Sequence, residues 1–171
     1  MMILLLPVVA YAHPETGEAP DGVAETEYRI ALEMNPKDTR TRIKLGMILY
    51  RKNKLKDAER ELSIALKKVP GDFDANYTMG LVRLKEKKYR ESIAWFQQAS
   101  RINSEDSIAY YGLGQALEQS GRQAEAESAY RKGLEMNERQ IRTGQHLDHV
   151  MERKKNFLAA LENLRRSKTT R

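Results

Sequence analysis

Tyr110-Tyr111-Gly112-Leu113-Gly114 is the stretch on which the fold turns, because its last glycine is one of a series. Gly46, Gly80 and Gly114 are separated by 34 residues each. One position earlier, Leu45, Met79, Leu113 and Leu147 keep the same period. Ala24, Ala58, Ser92, Ala126 and Ala160 form another column, as do Tyr28, Leu62, Phe96, Tyr130 and Leu164. Ala31, Ala65, Ala99 and Gly133 form one more, and Pro36 and Pro70 recur at the same spacing. Aligned columns at a single long period are the mark of a stacked repeat, in which each unit buries its apolar face against its neighbours.

Each unit reads as two helices. Apolar residues in Ile43-Lys44-Leu45-Gly46-Met47-Ile48-Leu49 recur at helical spacing. The stretch from Lys56 to Lys68 carries Ala58, Leu62, Ala65 and Leu66 at i, i+4, i+7 and i+8. Two antiparallel helices cross closely only where side chains are small, so Gly46 and Ala58 are expected to meet. The turn between the helices is polar, Lys52-Asn53-Lys54; Asn53, Lys87 and Gly121 share its position, and glycine suits a left-handed backbone best. Pro70 follows the second helix, where its missing N–H stops propagation.

These residues resemble the tetratricopeptide repeat family. The clearest unit shows Tyr110-Tyr111-Gly112-Leu113-Gly114, then Leu117, Ala126 and Tyr130, and the clearest unit end is Ala31-Leu32-Glu33-Met34-Asn35-Pro36. The resemblance implies an all-α fold, a right-handed superhelix (α-solenoid) of antiparallel helix pairs. It divides an array over 22–166 into a half repeat at 22–38 and full repeats at 39–72, 73–106 and 107–140. Leu45, Gly46, Ala58, Ala65, Pro70, Gly80, Phe96, Ala99, Leu113, Gly114, Ala126 and Tyr130 are its repeat-packing residues. Arg42 stands where an aromatic is usual, and Ser104 and Glu138 stand in place of proline.

Two readings hold for 141–166. Phe157, Ala160 and Leu164 fit the second helix of a degenerate fourth repeat, although Asp148 occupies the small-residue position. The stripe Leu147, Val150, Phe157, Leu161 and Leu164 fits one unbroken capping helix equally well, which a repeat array needs to cover its last apolar face. Residues 167–171 form a basic tail.

The chain opens with the apolar run Ile3-Leu4-Leu5-Leu6-Pro7-Val8-Val9, followed by Ala10-Tyr11-Ala12. Such a run is too short to span a bilayer, which takes about 20 residues, but it matches a secretory signal with a small-x-small cleavage site. Residues 1–12 are therefore expected to be a cleaved signal peptide and 13–21 a flexible segment. The protein is expected to be exported, and periplasmic in a Gram-negative bacterium. With no cysteine there is no lipid-anchor residue, disulfide or thiolate metal site.

Charged residues make up 32% of the chain, with 30 Lys+Arg against 24 Asp+Glu and a formal charge of +6. Neither catalysis nor a cofactor is expected. The hydroxyls have no histidine on a shared face, and the glycines sit at packing positions rather than in a phosphate-binding loop. His146, His149 and Glu152 have a spacing that suits a metal ligand set, but they read as a solvated cluster, and no metal is expected. His13, as a free N-terminus, has a copper-chelating geometry shared by any histidine-led tail.

The resemblance places function in the concave groove, at positions 2, 5, 9, 12 and 13 of each unit. The candidate residues are Arg40, Ile43, Met47, Arg51, Tyr77, Leu81, Lys85, Tyr111 and Gln115. Met47, Tyr77, Leu81 and Tyr111 are expected to form an apolar-aromatic floor with Arg51 and Lys85 at one edge. Such a floor suits a protein or peptide ligand with apolar anchors and some acidic residues. Ile43, Met47, Thr78, Ile108 and Gly112 stand where a carboxylate-gripping co-chaperone subfamily carries Lys, Arg and Asn, so that specificity is not expected. Basic residues cluster at two successive turns, Arg51 to Lys56 and Arg83 to Arg90. They form a positive edge suited to an anionic membrane surface, while nucleic acid is not expected, since no known binding module is present. Self-association through end faces into a homo-oligomer is the alternative role.

Overall fold

A computed structural model describes residues 20–143 and 147–169. These form eight helices: α1 (Asp21–Met34), α2 (Thr39–Arg51), α3 (Leu55–Lys68), α4 (Phe73–Lys85), α5 (Tyr89–Ile102), α6 (Ser107–Gln119), α7 (Gln123–Arg142) and α8 (Leu147–Thr169). The expected signal over 1–12, His13 and His146 lie outside the described residues.

A column not picked out above starts each first helix. Asp38, Asp72 and Asp106 are the N-caps of α2, α4 and α6, their carboxylates accepting from the N–H groups of Thr41 (3.1 Å), Ala75 (2.8 Å) and Ile108 (2.9 Å). The same helices end alike. Asn53, Lys87 and Gly121 have φ of 60°, 61° and 81°. Around Asn53, the Asn53 N–H bonds Tyr50 O (2.9 Å) and the Lys54 N–H bonds Leu49 O (2.8 Å). This paired closure satisfies carbonyls that the last helical turn would leave open, and it requires a left-handed residue. Lys87 therefore carries a conformation that favours glycine.

The helix pairs lock by a residue seated on a glycine. A Cβ at Gly46 would lie 2.7 Å from Leu62 Cγ, and one at Gly80 would lie 2.7 Å from the Phe96 ring. The Tyr130 ring covers Gly114 in the same way. The residue seated on the small position is thus the large one 16 positions later, while the Ala58 column also reaches it, since Ser92 Oγ donates to Gly80 O at 2.8 Å. Leu62, Phe96 and Tyr130 are fully or almost fully buried. Ala58, Ala65, Ala99 and Ala126 are also buried, whereas Leu113 is only half-buried. Pro70 is exposed and corrects its assignment as a packing residue; its carbonyl accepts from Asn76 Nδ2 at 2.8 Å.

Consecutive first helices touch, α2 with α4 and α4 with α6, while consecutive second helices do not come into comparable contact. The array therefore curves towards α2, α4 and α6, and is an all-α solenoid of helix pairs.

The third pair departs from the pattern. Gln140 stands where Asp106 would recur, and Glu138 where proline would, so α7 has neither stop nor restart and runs for 20 residues. Asn137, aligned with the helix-ending Asn103, is instead buried inside α7 and donates from Nδ2 to Val150 O at 3.0 Å. The C-terminal stretch is one helix, α8, which continues to Thr169 and so takes in part of the expected tail. Val150, Phe157 and Leu164, seven apart, are its buried face. The Phe157 ring sits over Gly133 and meets Tyr111 edge-on at 5.2 Å between centroids.

Candidate peptide-binding groove

The inner face of the array is a groove walled at one end by α1 and at the other by α8. It contains hollows towards both ends, and the sequence-derived candidates divide between them and the core.

At the N-terminal end, Met47 is half-buried and faces a hollow with Lys44, Tyr28 and Asp74. Lys44 Nζ lies 6.0 Å from the Tyr28 ring centroid, a cation–π arrangement. Arg40 is exposed in an adjoining hollow. Burial, with the nearby carboxylates of Asp72 and Asp106, raises the Asp74 carboxyl above its ordinary range. Arg51 holds Asp21 of α1, with Nη2 2.5 Å from the carboxylate.

Ile43 is 6% exposed and part of the core, and it also lines the hollow that holds Arg40. Tyr77 corrects the expected floor. Tyr77 stacks parallel to Phe73 at 6.0 Å and tilts against Phe96 at 5.6 Å, so its ring is mainly packing between repeats. Leu81 is half-buried against the same core. Tyr77 therefore cannot be truncated without opening the joint between α4 and α5.

The C-terminal hollow, about 490 Å³, joins α4, α6 and α8. Lys85, Tyr111 and Gln115 line it, as expected positions, together with Leu84 and Glu118. Lys85 is exposed and its Nζ sits 5.2 Å above the Tyr50 ring, which fixes the cation at the rim. Tyr130 O–H donates to Glu118 at 2.8 Å. Burial raises the Tyr111 and Tyr130 phenols, so both remain neutral hydrogen-bonding groups at ordinary pH.

The far wall of this hollow comes from α8, through Asn156, Ala159, Ala160 and Asn163. The candidate list did not include these residues. The signal was the heptad spacing of Val150, Phe157 and Leu164: with that face on the core, Asn156 and Asn163 fall on the flank beside α6. Arg153 secures the wall, with Nη1 3.2 Å from Ser107 Oγ and 3.4 Å from Asp106.

The expected positive edge is largely neutralised within the protein. Lys52 and Lys54 converge on the buried Glu25 of α1, at 2.5 and 2.9 Å. Those two ammonium groups and the Arg29 guanidinium hold the Glu25 carboxyl down at about 2. Arg83 pairs with Glu59, Glu86 and Glu91, and Lys88 with Glu86. Among the described residues there is no group of three His, Cys, Asp or Glu side chains that could hold a metal ion, and no helix long and apolar enough to cross a membrane. His149 is exposed.

The chain is similar in fold to the Yersinia enterocolitica type III secretion translocator chaperone SycD, with 18% identity, TM-score 0.69, and 82% of this chain and 93% of that one covered. A structure of that chaperone in complex with a peptide of the translocator YopD matches with 18% identity, TM-score 0.66, and coverage of 75% and 93%. MamA from Desulfovibrio magneticus matches with 20% identity, TM-score 0.64, and coverage of 88% and 87%. No curated protein matches. Family models described as tetratricopeptide repeat match residues 22–73 and 72–139. Together with the glycine sockets and the repeated caps, these matches establish that the chain belongs to the tetratricopeptide repeat family.

Proposed function

We propose that the protein is a non-catalytic adaptor that holds a segment of a partner protein in its inner groove, in the assembly of an envelope structure or other complex. The observation that carries this reading is the C-terminal hollow. Half-buried Tyr111 and Leu84 offer apolar contact, Gln115, Asn156 and Asn163 offer hydrogen bonds, and Lys85 supplies a fixed cation at the rim. A few polar groups around an aromatic surface suit a peptide better than a small substrate, because affinity comes from side-chain anchors and direction from the polar rim. The partner segment carries apolar anchors and some acidic residues, the latter facing Lys85. The chaperone bound to a translocator peptide is a precedent for peptide capture within the same fold.

The same reading places the protein outside the cytoplasm, on the basis of residues 1–12 alone. Full-length wild type and a Lys85→Glu/Gln115→Glu variant should be used to capture partners from the source cell. The partner is expected to be lost from the variant while its circular dichroism stays helical; undiminished capture would refute the groove reading. N-terminal sequencing of the mature protein is expected to begin at His13, and a chain that begins at Met1 would refute export by cleavage.

A further inference from the structure

The middle first helix, α4, carries opposite charges at its two ends on one face. Asp74 and Lys85 are eleven residues apart, about three helical turns, so they share a stripe with half-buried Tyr77 and Leu81 between them. Asp74 lines the hollows at the N-terminal end of the groove, and Lys85 lines the C-terminal one. Neither has an ion-pair partner among the described residues. The Lys85 ammonium rests over the Tyr50 ring, and exposed Lys87 adds a second unpaired cation to that hollow. The carboxylate there, Glu118, accepts from Tyr130 O–H. Arg40 and Lys44 line a hollow with Asp74, yet burial, then Asp72 and Asp106, raise its carboxyl and no cation lowers it.

The equivalent helices lack this polarity. α2 has arginine at both places, Arg40 and Arg51, and Arg51 is paired with Asp21; α6 has Ile108 and Gln119. The change of sign along one face is confined to the middle repeat. The side-chain amides of Gln115, Asn156 and Asn163 also have no hydrogen-bond partner among the described residues. An amide donates and accepts, which suits the backbone of an extended chain. A helical segment, with its N–H and C=O groups bonded internally, would leave these amides unused.

We infer that the segment held in the groove is extended and bipolar, with a Lys or Arg at Asp74 and an Asp or Glu at Lys85. This rests on the groove reading and adds a measure to it. The two charges stand about 16 Å apart along the α4 axis, a distance that an extended chain covers in about five residues. Opposite charges at the two ends also fix the direction in which a given segment lies, since reversal would place like charges together.

The test uses the full chain and fluorescein-labelled peptides in which one Arg and one Glu stand three, five or eleven positions apart among Leu, Tyr and Ser. By fluorescence anisotropy, the five-apart peptide is expected to bind wild type about tenfold more tightly than the other two. Asp74→Lys and Lys85→Glu should each weaken it about tenfold through like-charge contact. The exchanged protein, Asp74→Lys/Lys85→Glu, should recover binding of the peptide with its charges transposed, which a merely structural role of either residue would not allow. Asp74→Asn keeps the shape and removes only the charge, and circular dichroism verifies that every variant folds. Equal affinity at all three spacings, preference for the eleven-apart peptide, no binding by any of them, or single reversals without effect would each overturn the inference. If cellular partners are lost with Lys85→Glu/Gln115→Glu but retained by Asp74→Asn and Asp74→Lys, the groove reading stands and the bipolar segment does not.

Discussion

Glu25 on α1 receives Lys52 Nζ at 2.5 Å and Lys54 Nζ at 2.9 Å, and so fastens the half repeat to the turn between α2 and α3. The carboxylate is buried, and its ammonium partners come from residues on either side of the left-handed Asn53. The clamp therefore reads the shape of the turn as well as its charge. Glu25→Gln is expected to cost about 1.5–3 kcal/mol at neutral pH, the range for hydrogen bonds to charged groups. Because the folded carboxyl is held at about 2, below its ordinary 4.5, the contribution is complete above pH 4.5 and fades as pH falls towards 2. Urea unfolding of wild type and variant should thus give curves that converge between those two pH values.

The three inter-helix turns offer an internal control on backbone strain. Lys87 and Gly121 have the same left-handed role, with φ of 61° and 81°. Lys87→Gly is expected to stabilise by up to about 1 kcal/mol, and Gly121→Ala to destabilise by a similar amount, since a left-handed L-residue costs about 1–2 kcal/mol and glycine's extra chain entropy offsets part of that. Thermal unfolding of the two variants should shift in opposite directions.

The glycine sockets should differ in tolerance. A methyl at Gly46 meets the branched end of Leu62, which can rotate aside, whereas one at Gly114 meets the plane of Tyr130. Gly114→Ala is expected to cost about 1–3 kcal/mol through overpacking, and Gly46→Ala distinctly less. Equal losses in urea unfolding would show that the rigidity of the ring does not govern the socket.

Two groove positions should separate binding from folding. Tyr77→Ala is expected to cost about 3 kcal/mol, at the low end of aromatic truncation in cores, because its ring is shared with Phe73 and Phe96. Lys85→Glu should leave stability within about 0.5 kcal/mol, as for most surface substitutions. Once a partner segment is identified, titration calorimetry with Lys85→Glu should show about tenfold weaker binding, equivalent to 1.4 kcal/mol.

Much of the architecture was legible because the repeat places equivalent residues in equivalent surroundings. Gly46, Gly80 and Gly114 report one contact three times, and Asn53, Lys87 and Gly121 report one turn. What escaped was information that depends on which parts of different units meet. The column at Ala58 marked a small residue, but only the packed helices show that Gly46 seats Leu62. The basic turns suggested a free positive edge, because their carboxylate partners are scattered at Asp21, Glu25, Glu59, Glu86 and Glu91, some near in sequence and others a unit away. The end of α7 needed two absences to be read together, proline at Glu138 and aspartate at Gln140. The α8 wall was hidden because Asn156 and Asn163 acquire a role only from the face that Phe157 turns to the core.

Each of the three central sockets joins a glycine to a side chain 16 residues further on. The core is thus assembled almost entirely from neighbours in the chain, the condition under which loop-closure entropy is small and folding fast. During synthesis a socket can close as soon as its second helix has emerged, without waiting for the C-terminus. Phe157 of α8 then closes last over Gly133, and a nascent chain stalled before it would display a folded array with an open end.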